Sequence, residues 1–128
     1  MDKEIKILVV DDEKHMLLII KGFLNKLGFT NIIDAGDGAT ALQRLRVDPV
    51  DLILSDWDMP DMTGLTFLKA IREDAKHSKT PFLLITGHRD RESIIVAAKE
   101  GVSDYIIKPF TLETLTEKIT KVLDIKSE

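Results

Sequence analysis

Ile5-Lys6-Ile7-Leu8-Val9-Val10-Asp11-Asp12 is a short β-branched, apolar-rich run that ends on two carboxylates. From Ile7 onward it lacks inside/outside alternation, which is how a strand reads when helices cover both of its faces. Similar runs follow near Asn31 to Ala35, Leu52 to Ser55, Phe82 to Ile85 and Tyr105 to Ile107. Longer segments of helical period separate them, and that alternation marks repeated βα units around a parallel sheet. The predicted fold is a doubly wound, five-stranded α/β sheet whose crossovers are all right-handed.

The helical segments carry ordinary packing stripes, with one exception. The first runs from about Glu13 to Leu27, with Met16, Ile20, Phe23, Leu24 and Leu27 on one face and Gly28 as its stop. The second follows Gly36-Asp37-Gly38 and sets Gly38, Ala41, Leu42 and Leu45 on one side, with Pro49 beyond its end. The third carries Leu65, Leu68 and Ile71 after Gly64; the fifth carries Leu112, Leu115, Ile119 and Val122 after a capping candidate, Thr111. In the fourth, from about Arg91 to Glu100, the residues from Ile94 through Ala98 are all apolar. At about 100° per residue they encircle the helix, so some apolar surface has to remain exposed. The run reads either as an alanine-rich helix pressed against its neighbours or as a partner-binding face.

Composition bounds the function. The 128 residues fit one domain, 1–128, without an appended output module. With 44% hydrophobic and 31% charged residues, 7 Gly and 4 Pro, the chain is neither disordered nor fibrous. It has no cysteine, which removes disulfides, thiolate metal sites and thiol nucleophiles. The net charge of −4 offers no broad basic field for nucleic acid or anionic lipid. The acidic N-terminus is too short for a signal peptide, and no apolar run approaches the roughly 20 residues that span a bilayer. A cytoplasmic location is expected.

In doubly wound sheets ligands bind beyond the carboxyl ends of the strands. Here those ends deliver Asp11 and Asp12, Asp56, Thr86, and Lys108 with Pro109. Each residue alone has a structural explanation as a helix cap, a turn former, a local hydrogen bond or a solvated amine. Together they demand a counterion, since carboxylates a few ångströms apart repel by about 4 kcal/mol per pair at a surface-like dielectric. Lys108 supplies one positive charge. Mg²⁺, a hard cation that accepts few carboxylates, several waters and a phosphate, suits the rest. Its task would be to screen an incoming phosphoryl group, and Asp56, on the central strand, is the best nucleophile candidate.

These residues resemble the receiver domains of two-component response regulators, most closely the stand-alone, CheY-like chemotaxis members. The resemblance covers essentially the whole chain. It rests on Val9-Val10-Asp11-Asp12, Asp56-Trp57-Asp58-Met59-Pro60 with Gly64, Ile85-Thr86-Gly87, and Tyr105-Ile106-Ile107-Lys108-Pro109-Phe110, in this order and at these intervals. The resemblance implies a flavodoxin-like strand order, 2-1-3-4-5. It implies that Asp56 takes a phosphoryl group from the phosphohistidine of a histidine kinase. Asp12, Asp56 and the main-chain carbonyl of Asp58 would ligate Mg²⁺, with Asp11 helping through water. Lys108 would contact the phosphoryl oxygens, with a cis Lys108–Pro109 bond. Thr86 would move to hydrogen-bond the phosphoryl group, Tyr105 would turn inward, and the face made by helix four, strand five and helix five would change shape for a target such as the flagellar motor switch. A phosphatase joins the implied partners. The chain would not be an enzyme with a separate substrate, because its phosphotransfer and autodephosphorylation are self-directed.

Some positions depart from the common pattern. Thr63 stands where an acidic residue or serine often precedes the glycine, and Gly87 follows Thr86 where alanine is usual. Asp58 and His88, each two residues beyond a site residue, resemble the family's variable positions that tune phosphoryl lifetime.

Other readings fit less well. Asp56-Trp57-Asp58 matches the start of haloacid-dehalogenase-type phosphatases, but it follows the third strand of a short chain rather than the first of a long one. Asp56, Asp58 and Asp61 lack the Gly and distal Glu of a calcium loop. His15, His77 and His88 show no zinc-ligand spacing. A phosphorelay shuttle would use the same site but pass the group to another histidine protein; Tyr105 and the apolar fourth helix favour an interaction switch instead. An excised receiver of a longer regulator is disfavoured by a fifth helix that ends at Asp124 to Glu128 without a linker.

Overall fold

A computed structural model of the chain describes residues 2–127. The elements alternate throughout: β1 (Ile7–Val10), α1 (Lys14–Lys26), β2 (Ile32–Ala35), α2 (Gly38–Val47), β3 (Leu52–Asp56), α3 (Gly64–Glu73), β4 (Phe82–Thr86), α4 (Arg91–Lys99), β5 (Asp104–Ile107) and α5 (Leu112–Ser127). The strands are all parallel, in the order β2-β1-β3-β4-β5. The expected end of the chain at Glu128 lies outside the described residues.

Every residue of β1, β3 and β4 is buried, whereas the edge strands β2 and β5 are buried only in part. This explains why the three inner strands read as unbroken apolar runs. The period-2 geometry of a strand splits their side chains between two cores. Leu8, Val10, Ile53 and Leu84 pack with Ala41, Leu45, Phe67, Leu68, Ile71 and Ala97 of α2, α3 and α4. Ile7, Val9, Leu54 and Ile85 pack with Ile20, Leu24, Leu115, Ile119 and Val122 of α1 and α5.

The predicted helix signals are largely realised. Gly28 adopts φ 99° at the end of α1, a conformation costly for other residues. Thr111 accepts the N–H of Thr114 at 3.1 Å. Asp37, Thr63 and Asp90 cap α2, α3 and α4 in the same way, so Thr63 has a local structural task of its own. On α4, Ile94, Ile95 and Val96 are each 41% exposed, and Ala97 is the buried residue. The apolar run is therefore an exposed face rather than a tightly packed helix.

Two strands run one residue further than the sequence suggests. Asp56 pairs with Ile85, and Thr86 pairs with Ile107, so both site residues belong to the sheet itself. The hydrogen bonds Trp57 N–H to Ile85 O (3.0 Å) and Lys108 N–H to Thr86 O (2.8 Å) extend the ladders past Ser55 and Ile85, on which the sequence reading stops.

Candidate functional site

The carboxyl ends of β1, β3 and β5 converge on one pocket. One carboxylate oxygen from each of Asp11, Asp12 and Asp56 lies within 4.8 Å of the others. Asp11 and Asp56 are buried, while Asp12 is exposed. From β5, Lys108 reaches across β4 to place Nζ 2.9 Å from Oδ1 of Asp56 and 4.0 Å from Oδ2 of Asp11. The Lys108–Pro109 bond is cis, as the resemblance implied.

Asp11 divides its carboxylate between two tasks. Oδ1 accepts the N–H of Glu13 at 2.9 Å and so starts α1. Oδ2 is buried and has no hydrogen-bond partner among the described residues. Burial raises the pKa of Asp11 to about 6; the Glu13 N–H opposes the rise and the Asp56 charge adds to it. Burial also raises the Asp56 carboxyl, against the hydrogen bond and charge of Lys108. For Lys108, burial works against the ammonium, but the hydrogen bond and charge of Asp56 outweigh it and the amine stays protonated. One ammonium thus serves two crowded buried acids.

The donor set fits a hard divalent cation. It comprises only oxygens, and it includes a buried carboxylate oxygen, Oδ2 of Asp11, that accepts no hydrogen bond from the described residues. Asp58 is placed differently from the three acids. Oδ1 of its carboxylate meets Nε2 of His88 at 2.9 Å, outside the cluster of Asp11, Asp12 and Asp56.

The main chain around the nucleophile candidate is held closely. A Cβ on Gly64 would stand 2.2 Å from Asp56 O and 2.8 Å from Trp57 Cα, and the Gly64 N–H donates to Trp57 O at 2.8 Å. Only glycine lets the start of α3 lie against the end of β3. The hydroxyl of buried Ser55 donates to the same Asp56 carbonyl at 3.0 Å.

On the other side, Thr86 is fully buried and its Oγ1 accepts the His88 N–H at 3.0 Å. Tyr105 is half-buried and its hydroxyl donates to His88 O at 2.8 Å. Its ring meets Trp57 edge-on with centroids 6.2 Å apart, and the Trp57 and His88 rings lie 5.0 Å apart. Tyr105 therefore already occupies an inward position in this structure.

A match to the response regulator receiver domain model extends over residues 7–120. The chain is a member of that family. Its relatives include the chemotaxis protein CheY of Pseudomonas aeruginosa, 46% identical over 119 residues, which covers 93% of this chain and 96% of the relative. CheY-3 of Vibrio cholerae is 46% identical over 124 residues, 97% of this chain and 95% of the relative. Among solved structures, Vibrio cholerae CheY4 superposes with a TM-score of 0.88 at 32% identity, covering 93% of this chain and 98% of that one. A receiver domain protein from Clostridium thermocellum gives a TM-score of 0.86 at 30% identity, covering 96% and 97%.

In this receiver, the structure brings Asp11, Asp12, Asp56 and Lys108 together, and it links Thr86 and Tyr105 through His88. The sequence singled out Asp58 and His88 separately but not their contact with each other. The sequence reading also missed the clamp on β5, where Asp104 meets Lys118 at 3.1 Å and Lys121 at 3.2 Å. The i, i+3 spacing of those lysines on one helix face was the available signal. Among the described residues, no helix is long and apolar enough to cross a membrane.

Proposed function

We propose that this receiver is a phosphorylation-activated switch in which Asp56 accepts a phosphoryl group from the phosphohistidine of a histidine kinase. An Asp56 carboxylate oxygen attacks phosphorus, the P–N bond breaks, and its electron pair returns to the imidazole of the donor. The observation that carries this reading is the buried Asp56 carboxylate held 2.9 Å from Lys108, beside Oδ2 of Asp11, which accepts no hydrogen bond from the described residues.

Asp11, Asp12, Asp56 and the carbonyl of Asp58 would hold Mg²⁺, which when bound neutralises charge on the transferring phosphoryl group. Lys108 follows the phosphoryl oxygens, and the Thr86 hydroxyl turns its proton towards them. That turn stabilises the inward Tyr105 through the His88 main chain, so added negative charge is read as a change in the loop between β4 and α4. The Asp58–His88 pair stands at the same strand ends and sets how fast the aspartyl phosphate hydrolyses.

The face of α4, β5 and α5 is the output surface, and the exposed Ile94, Ile95 and Val96 supply its apolar area. The curated relatives named above are chemotaxis proteins, which supports a chemotaxis-type target such as the flagellar motor switch. The reading places the chain in the cytoplasm and gives it no separate substrate to turn over.

Incubation with Mg²⁺ and acetyl phosphate, followed by intact mass, tests the chemistry. One alkali-labile phosphoryl group is expected, absent with EDTA and absent in Asp56→Asn. Labelling that persists in Asp56→Asn identifies a different nucleophile. If phosphorylation leaves affinity for a flagellar-switch peptide unchanged while a phosphotransfer histidine protein accepts the group, the chain is a relay shuttle instead.

A further inference from the structure

His77 is a buried titratable group that the phosphoacceptor site does not use. It lies in the connection between α3 and β4, at the opposite end of the sheet from Asp56, and is only 1% exposed. Its Nε2 accepts the main-chain N–H of Val50 at 3.3 Å, just before β3 begins. An acceptor at Nε2 assigns the proton of the neutral ring to Nδ1, which lies 2.7 Å from Oδ2 of Asp74. The neutral ring thus satisfies both nitrogens in opposite roles and joins the α2–β3 connection to the α3–β4 connection.

A second proton reverses one of these roles. It would sit on Nε2 and meet the Val50 N–H donor to donor, while the contact with Asp74 would become an ion pair. On the histidine's own connection, the charged groups nearby include Asp74 and, beside that carboxylate, Lys76; from α2, Arg46 lines the same surface pocket as Asp74. From α3, the Arg72 guanidinium donates to the carbonyls of His77 (3.1 Å), Thr80 (2.7 Å) and, in the α4–β5 turn, Gly101 (2.9 Å). From the α2–β3 connection, Val50 presents an uncharged N–H. Its neighbours Asp48 and Asp51 are engaged by the side chain and the N–H of Lys6. The grip of Arg72 is on main-chain carbonyls, so it holds the connection in place whichever form the ring takes.

We propose that His77 is a proton-operated latch. In its neutral form it ties Val50, and with it the start of the strand that carries Asp56, to the α3–β4 connection. In its protonated form it releases Val50 and pairs with Asp74 alone.

Nuclear magnetic resonance on the intact protein tests this. The ring nitrogen shifts of His77 are expected to report a proton on Nδ1 and a bare Nε2 near neutral pH. When the pH is lowered until those shifts report the imidazolium, the Val50 amide is expected to lose roughly tenfold in exchange protection, as loss of one buried hydrogen bond implies. Leu84, in the middle of β4, should keep its protection. In His77→Gln, whose carbonyl accepts without titrating, the protection of Val50 should not vary over the same range. Three results on the unaltered protein would each overturn the latch: a neutral ring protonated on Nε2, a ring that stays neutral until the protein unfolds, or a Val50 amide equally protected on both sides of the titration.

Discussion

Gly64 lies against Asp56 so closely that an added Cβ would stand 2.2 Å from the Asp56 carbonyl oxygen. That atom is rigid backbone at the end of β3 and cannot swing aside as a flexible side chain would. Gly64→Ala therefore has to push α3 away from the strand that presents the nucleophile. A loss of about 1–3 kcal/mol is expected from overpacking of this kind, read from urea midpoints. Slower labelling by acetyl phosphate should accompany it. A variant with wild-type stability and labelling would show that the contact yields without cost.

Lys108 competes with any cation for the oxygens of Asp56. With Nζ 2.9 Å from Oδ1, it repels a divalent ion in the same pocket. Lys108→Ala should bind Mg²⁺ more tightly, on the order of tenfold, while losing phosphoryl transfer. Trp57, packed against His88 beside the site, supplies a fluorescence signal for the titration. Weaker Mg²⁺ binding in the variant would mean that the ammonium organises the acids rather than opposing the metal.

Asp11 gives the pocket a pH dependence of defined sign. Its pKa is raised from 3.8 to about 6 in the folded protein. A raised carboxyl contributes stability that is complete below its unfolded value and is lost as pH climbs through the folded one. Metal-free protein should therefore weaken between about pH 4 and pH 6, with Asp56 shifted in the same direction. The gap between 3.8 and about 6 corresponds to at most about 3 kcal/mol. Asp11→Asn, measured without metal, should be more stable than the parent at pH 7 and lose that advantage as pH falls through about 6. Mg²⁺ should stabilise the parent at pH 7 and progressively less below that range. Identical pH profiles for variant and parent would place the charge cost elsewhere.

Asp58 and His88 meet at 2.9 Å, linking the residue two beyond the nucleophile to the residue two beyond Thr86. The pair is solvent-accessible, so its contribution to stability should stay below about 1 kcal/mol. Its expected effect is kinetic. Replacing both, Asp58→Asn with His88→Glu, should change the half-life of the aspartyl phosphate severalfold with little movement of the urea midpoint. An unchanged half-life would remove these residues from control of hydrolysis.

Residue order determined much of this protein. β-branched runs separated by helical stripes specify a parallel sheet covered on both faces, because inner strands have no solvent face on which to alternate. The polar residues that close those runs, Asp11, Asp12, Asp56, Thr86 and Lys108, were legible as a site because parallel strands in one sheet bring their carboxyl ends to one edge. The sequence also required α4 to expose apolar residues, since a continuous run encircles a helix.

Tertiary structure decided what depends on distances between segments far apart in the chain. Local pattern could not show that one oxygen of Asp11 starts α1 while the other accepts no hydrogen bond from the described residues, that the Asp58 carboxylate turns to His88, or that the main chain at Asp56 needs glycine beside it. Nor could it pair His77 with the amide of Val50, 27 residues earlier. Periodicity reports which face of an element is buried; hydrogen bonds and charge contacts depend on ångström-scale approach, and that is fixed only once the elements pack.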